Sequence, residues 1–129
     1  MLTLKKLNIF VKLYIFNKKN DKKFILKNLK GNPYFIKFAS KELKKDKDFM
    51  KQALKISVYT TEFFSEELKK NKDFMLFALK ETPYSLNYLP KELFDDKNFM
   101  LEVLKNNPGL INYFSPKFRQ ILKSYHLKK

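Results

Sequence analysis

Cysteine and tryptophan are absent from the 129 residues, glycine occurs twice, histidine once and arginine once. Without cysteine there is no disulfide framework, no thiolate nucleophile and no cysteine-based zinc site. Two glycines cannot build the glycine-rich loops that cradle phosphates. Acidic side chains are also scarce: 13 stand against 28 basic ones, for a net charge of +15. No apolar run approaches the roughly 18 to 20 residues that a membrane span requires. The opening segment MLTLKKLNIFVKLYIFNKKN has a basic start and an apolar middle, as a secretion signal does. Lys12 interrupts that middle and the first alanine is Ala39, so no A-x-A cleavage site follows. The segment is therefore read as mature protein, with a cytoplasmic location as the default expectation.

What is present is enough to fold. Hydrophobic residues make up 44% of the chain and aromatic ones 16%, sufficient for the core of one domain spanning 1–129. All basic residues except Arg119 are lysine, accompanied by much Phe, Tyr, Ile and Asn, as an AT-rich genome would supply. Lysine is a point charge without the planar fork of arginine, so sequence-specific base reading is disfavoured.

After Asn20 the chain divides into four gapless segments of 25 residues: 21–45, 46–70, 71–95 and 96–120. They open on DKKFILKNLK, DKDFMKQALK, NKDFMLFALK and DKNFMLEVLK. From the twelfth position they read NPYFIKFASKELKK, SVYTTEFFSEELKK, TPYSLNYLPKELFD and NPGLINYFSPKFRQ. Such self-similarity is the signature of a solenoid. Position 4 is always Phe (24, 49, 74, 99), position 9 always Leu (29, 54, 79, 104), and position 5 is Ile25, Met50, Met75 and Met100. At helical spacing this stripe reads as core rather than as a greasy binding groove.

Each unit explains itself locally. Asp or Asn at position 1 is a good N-cap, and Lys30, Lys55, Lys80 and Lys105 suit the negative end of a first helix of about ten residues. Pro33, Pro83 and Pro108 fit the first turn of a short second helix, with Ile36 and Phe38, Leu86 and Tyr88, and Ile111 and Tyr113 facing inward. Ser40, Ser65 and Ser115 then cap a final turn carrying Leu43, Leu68 or Phe118, with Pro90 in the serine place of the third unit. The expected fold is all-α: short right-angled helices in four repeats, stacked as an α-solenoid between terminal capping helices. In the N-terminal cap Leu4, Leu7, Val11 and Tyr14 share a face, although Ile9, Ile15 and Phe16 widen it and a strand reading stays open. The C-terminal cap repeats Phe118, Ile121, Leu122 and Tyr125 and ends at 121–129.

The pattern D-K-x-F-M-x-x-A-L-K followed by x-Y-x-x-x-Y/F-x-S-x-E-L-K, over 21–120, resembles a bacterial and giant-virus repeat family, the domain of unknown function number four-one-one-six. The resemblance implies an all-helical repeat array, assigns no activity and transfers no catalytic residue.

No catalytic, metal or cofactor constellation stands out. His126 lies near the end without a supporting Ser, Cys or Asp, and the pairs Glu66-Glu67 and Asp95-Asp96 sit at unit boundaries where caps are needed. Tyr34, Tyr59 and Tyr84 recur at one position, as inter-unit packing or as platforms for bases. Charge discriminates better: residues 1–20 carry +5, then the four units carry +6, 0, −1 and +2, and the tail carries +3. Lys5, Lys6, Lys18, Lys19, Lys22, Lys23, Lys27 and Lys30 are the candidate partner-binding residues. The expected activity is a non-catalytic binding module that docks this basic end on a polyanion, RNA or DNA backbone or a nucleoprotein. The alternative is a protein–protein module, such as an adaptor or a small mobile-element-encoded inhibitor of a nucleic-acid enzyme. A lipid-surface binder is a more distant third reading.

Overall fold

The computed structural model describes residues 8–124; Leu4, Leu7, Lys5, Lys6, Tyr125, His126, Lys128 and Lys129 lie outside them. Every regular element among the described residues is helical. The repeat period sets the architecture. The first helices of the repeats are α2 (Lys22–Leu29), α4 (Lys47–Ile56), α6 (Lys72–Glu81) and α8 (Lys97–Asn106). Asp21, Asp46, Asn71 and Asp96 cap them, each carboxyl or amide oxygen accepting the N–H of the Phe three residues on at 2.8–3.0 Å. The last short helices are α3 (Lys41–Lys45), α5 (Glu66–Lys69) and α7 (Lys91–Phe94), and α9 (Pro116–Lys123) closes the described chain. Ser40, Ser65 and Ser115 cap as expected, while Pro90 makes no side-chain cap bond.

Between these helices the chain forms 3-10 helices, at Phe35–Phe38, Val58–Phe63, Pro83–Tyr88 and Pro108–Tyr113. Their inward line matches the expected one at Ile36, which is fully buried, and departs from it in the later repeats. Position 15 is buried in every repeat, as Phe35, Thr60, Ser85 and Leu110, whereas Leu86, Tyr88 and Ile111 are half-buried and Tyr113 is exposed. The tighter three-residue turn rotates the side chains away from an α-helical register. Asn32, Ser57 and Thr82 cap these segments through the backbone N–H two residues on.

The chain contacts divide into two compact units, Met1–Leu68 and Lys69–Lys129. In the first, α2 packs on α4 over Ile25, Leu29, Phe49, Met50 and Leu54; in the second, α6 packs on α8 over Phe74, Met75, Leu79, Met100 and Leu104. The Met and Phe stripe is core. In the first unit α1 (Ile9–Asn17) precedes the repeats, capped by Asn8, and is a helix rather than a strand. Its anchor is Ile15, not the expected face: Val11 and Tyr14 are exposed. At the other end Leu122 is buried and Ile121 exposed.

Candidate polyanion interface at the N-terminal end

The N-terminal end of the first unit is built on rings. Tyr14 meets Phe24 at 5.7 Å, Phe24 meets Phe35 at 5.7 Å, and Phe35 meets Phe38 at 4.9 Å, all edge to face. This chain fastens α1 to the first repeat and leaves two grooves beside Ile15 and Phe38. One, of about 380 Å³, has Lys12, Lys19 and Lys37 around Leu13, Ile15, Phe16 and Phe38. The other, of about 440 Å³, lies between Val11, Ile15, Phe35 and Phe38, with Lys27 and Asn28 among its lining residues. Lys19 holds its Nζ 4.1 Å from the Phe16 ring centre, and Lys37 holds its own 5.4 Å from that of Phe38. The stems cover apolar surface while the charges stay in solvent.

The six described sequence candidates separate into distinct environments. Lys22 is committed to the fold: its Nζ lies 2.9 Å from Asp46, the N-cap of the next repeat, and Lys72 meets Asp96 at 2.7 Å in the second unit. Position 2 of the repeat is lysine throughout (Lys22, Lys47, Lys72 and Lys97), and at Lys22 and Lys72 it clamps one repeat to the next. The Phe49 N–H and then the Lys22 ammonium hold the Asp46 carboxyl below its ordinary value. Lys18 is 3.9 Å from Asp21 and 5.7 Å from the Tyr14 ring centre. Lys23, Lys27 and Lys30 are exposed and make no ion pair among the described residues. Their spacing of four and three residues sets them in one row along α2, about 10 Å long at 1.5 Å per residue. Lys44 sits differently, half-buried with its Nζ donating to the Lys37 carbonyl oxygen at 3.2 Å, and burial pushes its pKa down.

Sequence reasoning missed Lys12 and Lys37. Lys12 stood out only as the break in an apolar run, and nothing in the repeat pattern distinguishes position 17. No group of three or more His, Cys, Asp or Glu among the described residues has the arrangement of a metal site, and no described helix is long and apolar enough to cross a membrane. Asp95 pairs with Lys91 at 2.6 Å, and Asp96 is a cap, so this carboxylate pair has structural work.

The family model described as Domain of unknown function (DUF4116) matches residues 21–69 and 59–94, more than half of the chain. The chain belongs to this family. The matched DUF4116 region begins on Asp21, the cap of the first repeat, and leaves α1 outside it. No curated protein and no solved structure matches the chain significantly.

Proposed function

We propose that this DUF4116 protein is a non-catalytic helical-repeat binding module that docks its basic N-terminal end on the phosphates of a nucleic acid or nucleoprotein. The observation that carries the reading is the row Lys23, Lys27 and Lys30, exposed along α2 and its C-cap without ion pairs among the described residues, in a segment of residues 1–45 that carries +11. Lysines along a rigid helix displace counterions from a phosphate backbone, and that release supplies the affinity. Contacts of this kind position a strand and read little sequence. The module works by holding; no bond is made or broken.

A second reading, an acidic protein partner, is favoured by α1. Its outward face presents Ile9, Phe10, Leu13 and Phe16, with Phe10 80% exposed, beside Lys12, Lys18 and Lys19. Apolar surface of this kind is better covered by a protein than by phosphates.

Combined reversal of Lys23, Lys27 and Lys30 to Glu separates the two. It spares Lys22, whose reversal would set a carboxylate against Asp46 and disturb the fold. On a single-stranded oligonucleotide the wild type should show log K falling linearly with log salt, by about 0.7 per neutralised phosphate, and the variant should bind far more weakly. A flat salt response with unchanged binding overturns the phosphate reading.

A further inference from the structure

Position 14 of the repeat is Tyr34, Tyr59 and Tyr84, and then Gly109. In the first unit the two tyrosines stack across the repeat boundary, ring centres 4.4 Å and planes 24° apart. The equivalent pair in the second unit is Tyr84 and Gly109, so the place of one ring is empty. Tyr84 is 59% exposed, and no ring stacks on it among the described residues of that unit. A groove of about 440 Å³ opens there, lined by Pro83, Tyr84, Asn87 and Tyr113, with Tyr113 65% exposed. Gly109, Asn107 and Asn112 line an adjoining groove that shares Pro83 and Tyr113 with it.

The backbone does not require the glycine. Residue 109 lies in the 3-10 helix Pro108–Tyr113 without a left-handed φ, and a Cβ there would meet Asn107 Oδ1 at 3.5 Å, an ordinary contact. Glycine within a helix costs conformational entropy, and here that cost obtains no turn and no close approach. What it leaves is a position without a side chain, in a groove that adjoins the one lined by Tyr84 through Pro83 and Tyr113.

We propose that this slot takes a nucleobase of a single strand, stacked on Tyr84 where the Tyr34–Tyr59 pair places its second ring. The proposal rests on the phosphate-docking reading for its choice of partner. The walls suit a flat group with a polar rim: Tyr84 and Tyr113 offer aromatic surface, and Asn87 and Asn112 offer amides that both donate and accept. The unit that holds the slot, residues 69–129, carries 12 basic against 6 acidic side chains, a net +6 that attracts the backbone carrying such a base. Stacking tolerates any base, in keeping with a protein poor in arginine.

The test compares an unstructured oligothymidylate with an abasic strand of the same length, on the full chain at low salt. One stacked base is worth about 1–3 kcal/mol, so oligothymidylate should bind about tenfold more tightly and quench tyrosine emission, which no tryptophan obscures. Tyr84→Leu and, separately, Gly109→Tyr should bring oligothymidylate down to the abasic level while abasic binding stays unchanged. A circular-dichroism melt of both variants checks that the fold survives. Equal binding of the two strands by the wild type overturns the slot and leaves phosphate docking standing, as does an oligothymidylate preference that survives both substitutions. Failure of both strands to bind overturns both readings.

Discussion

Asp46 does two jobs with one carboxylate. It accepts the Phe49 N–H at 3.0 Å as an N-cap and meets the Lys22 ammonium at 2.9 Å. Asn71 performs only the first, at 2.8 Å from the Phe74 nitrogen. Asp46→Asn should therefore keep the cap and lose the ion pair, costing less than about 1 kcal/mol, because exposed pairs contribute little. Asp46→Ala should lose the cap as well and cost about 1 kcal/mol more in urea denaturation. Asp46 and Asp96 have folded pKa values below the ordinary carboxylate value, Asp96 chiefly through the Lys72 ammonium and then the Phe99 N–H. Their stabilisation is thus complete above the unfolded value and lost as pH falls through the folded one. The wild type should weaken with acid in that window, and Asp46→Asn should weaken less. Thr60 shows the opposite situation: its Oγ1 is buried without a partner among the described residues, whereas the equivalent Ser85 donates to the Ala78 carbonyl oxygen at 2.9 Å. Thr60→Val should stabilise by about 1 kcal/mol in the same assay, since a buried hydroxyl without a partner is a net cost. The caps were legible because Asp or Asn before an apolar stripe is a local signal. The Lys22 clamp was not, because its partner lies 24 residues away.

At the scale of elements, local sequence settled where helices begin better than what kind they are. Pro83 and Pro108 suit the first turn of an α-helix or a 3-10 helix equally, so the expected inward line through Leu86, Tyr88, Ile111 and Tyr113 followed the wrong period. The line through Ser85 and Leu110 became visible only with the backbone. Gly31 has a plainer effect: α4, α6 and α8 run to position 11, whereas α2 stops at Leu29, because glycine at that place disfavours another helical residue. In α1 nearly every residue is apolar, so periodicity could not select Ile15 as the anchor. The position 4 stripe was legible because four repeats state it identically. Phe74 is fully buried, and Phe74→Ala should cost about 3–5 kcal/mol by chemical denaturation, while exposed Lys80→Ala should change stability by less than about 0.5 kcal/mol. Similar losses for the two would remove the core role of the stripe.

Across the whole molecule, the period and the charge gradient were readable by counting, but the division at Leu68 and Lys69 was not, since it depends on which contacts are dense. Charge also decides how the free protein responds to salt. Ion pairs such as Lys22–Asp46, Lys72–Asp96 and Lys91–Asp95 have solvent-facing lysines, so each contributes little and is weakened by screening. Opposing them is the mutual repulsion of a +15 chain, which screening also relieves. The repulsion involves many more charge pairs, among them the lysines of residues 1–45, so it should win. Tm of the free protein should therefore rise with sodium chloride and level off toward about 1 M, where the Debye length is only about 3 Å. Oligonucleotide binding should weaken over the same range, because counterion release loses its driving force. At low salt the same oligonucleotide should raise Tm by mass action. Thermal melts across a salt series, with and without the strand, check all three together: the two melting curves should converge as salt increases. A free-protein Tm that falls with salt would show that the ion pairs outweigh the repulsion, and a constant gap between the curves would mean that the strand is not held by its phosphates.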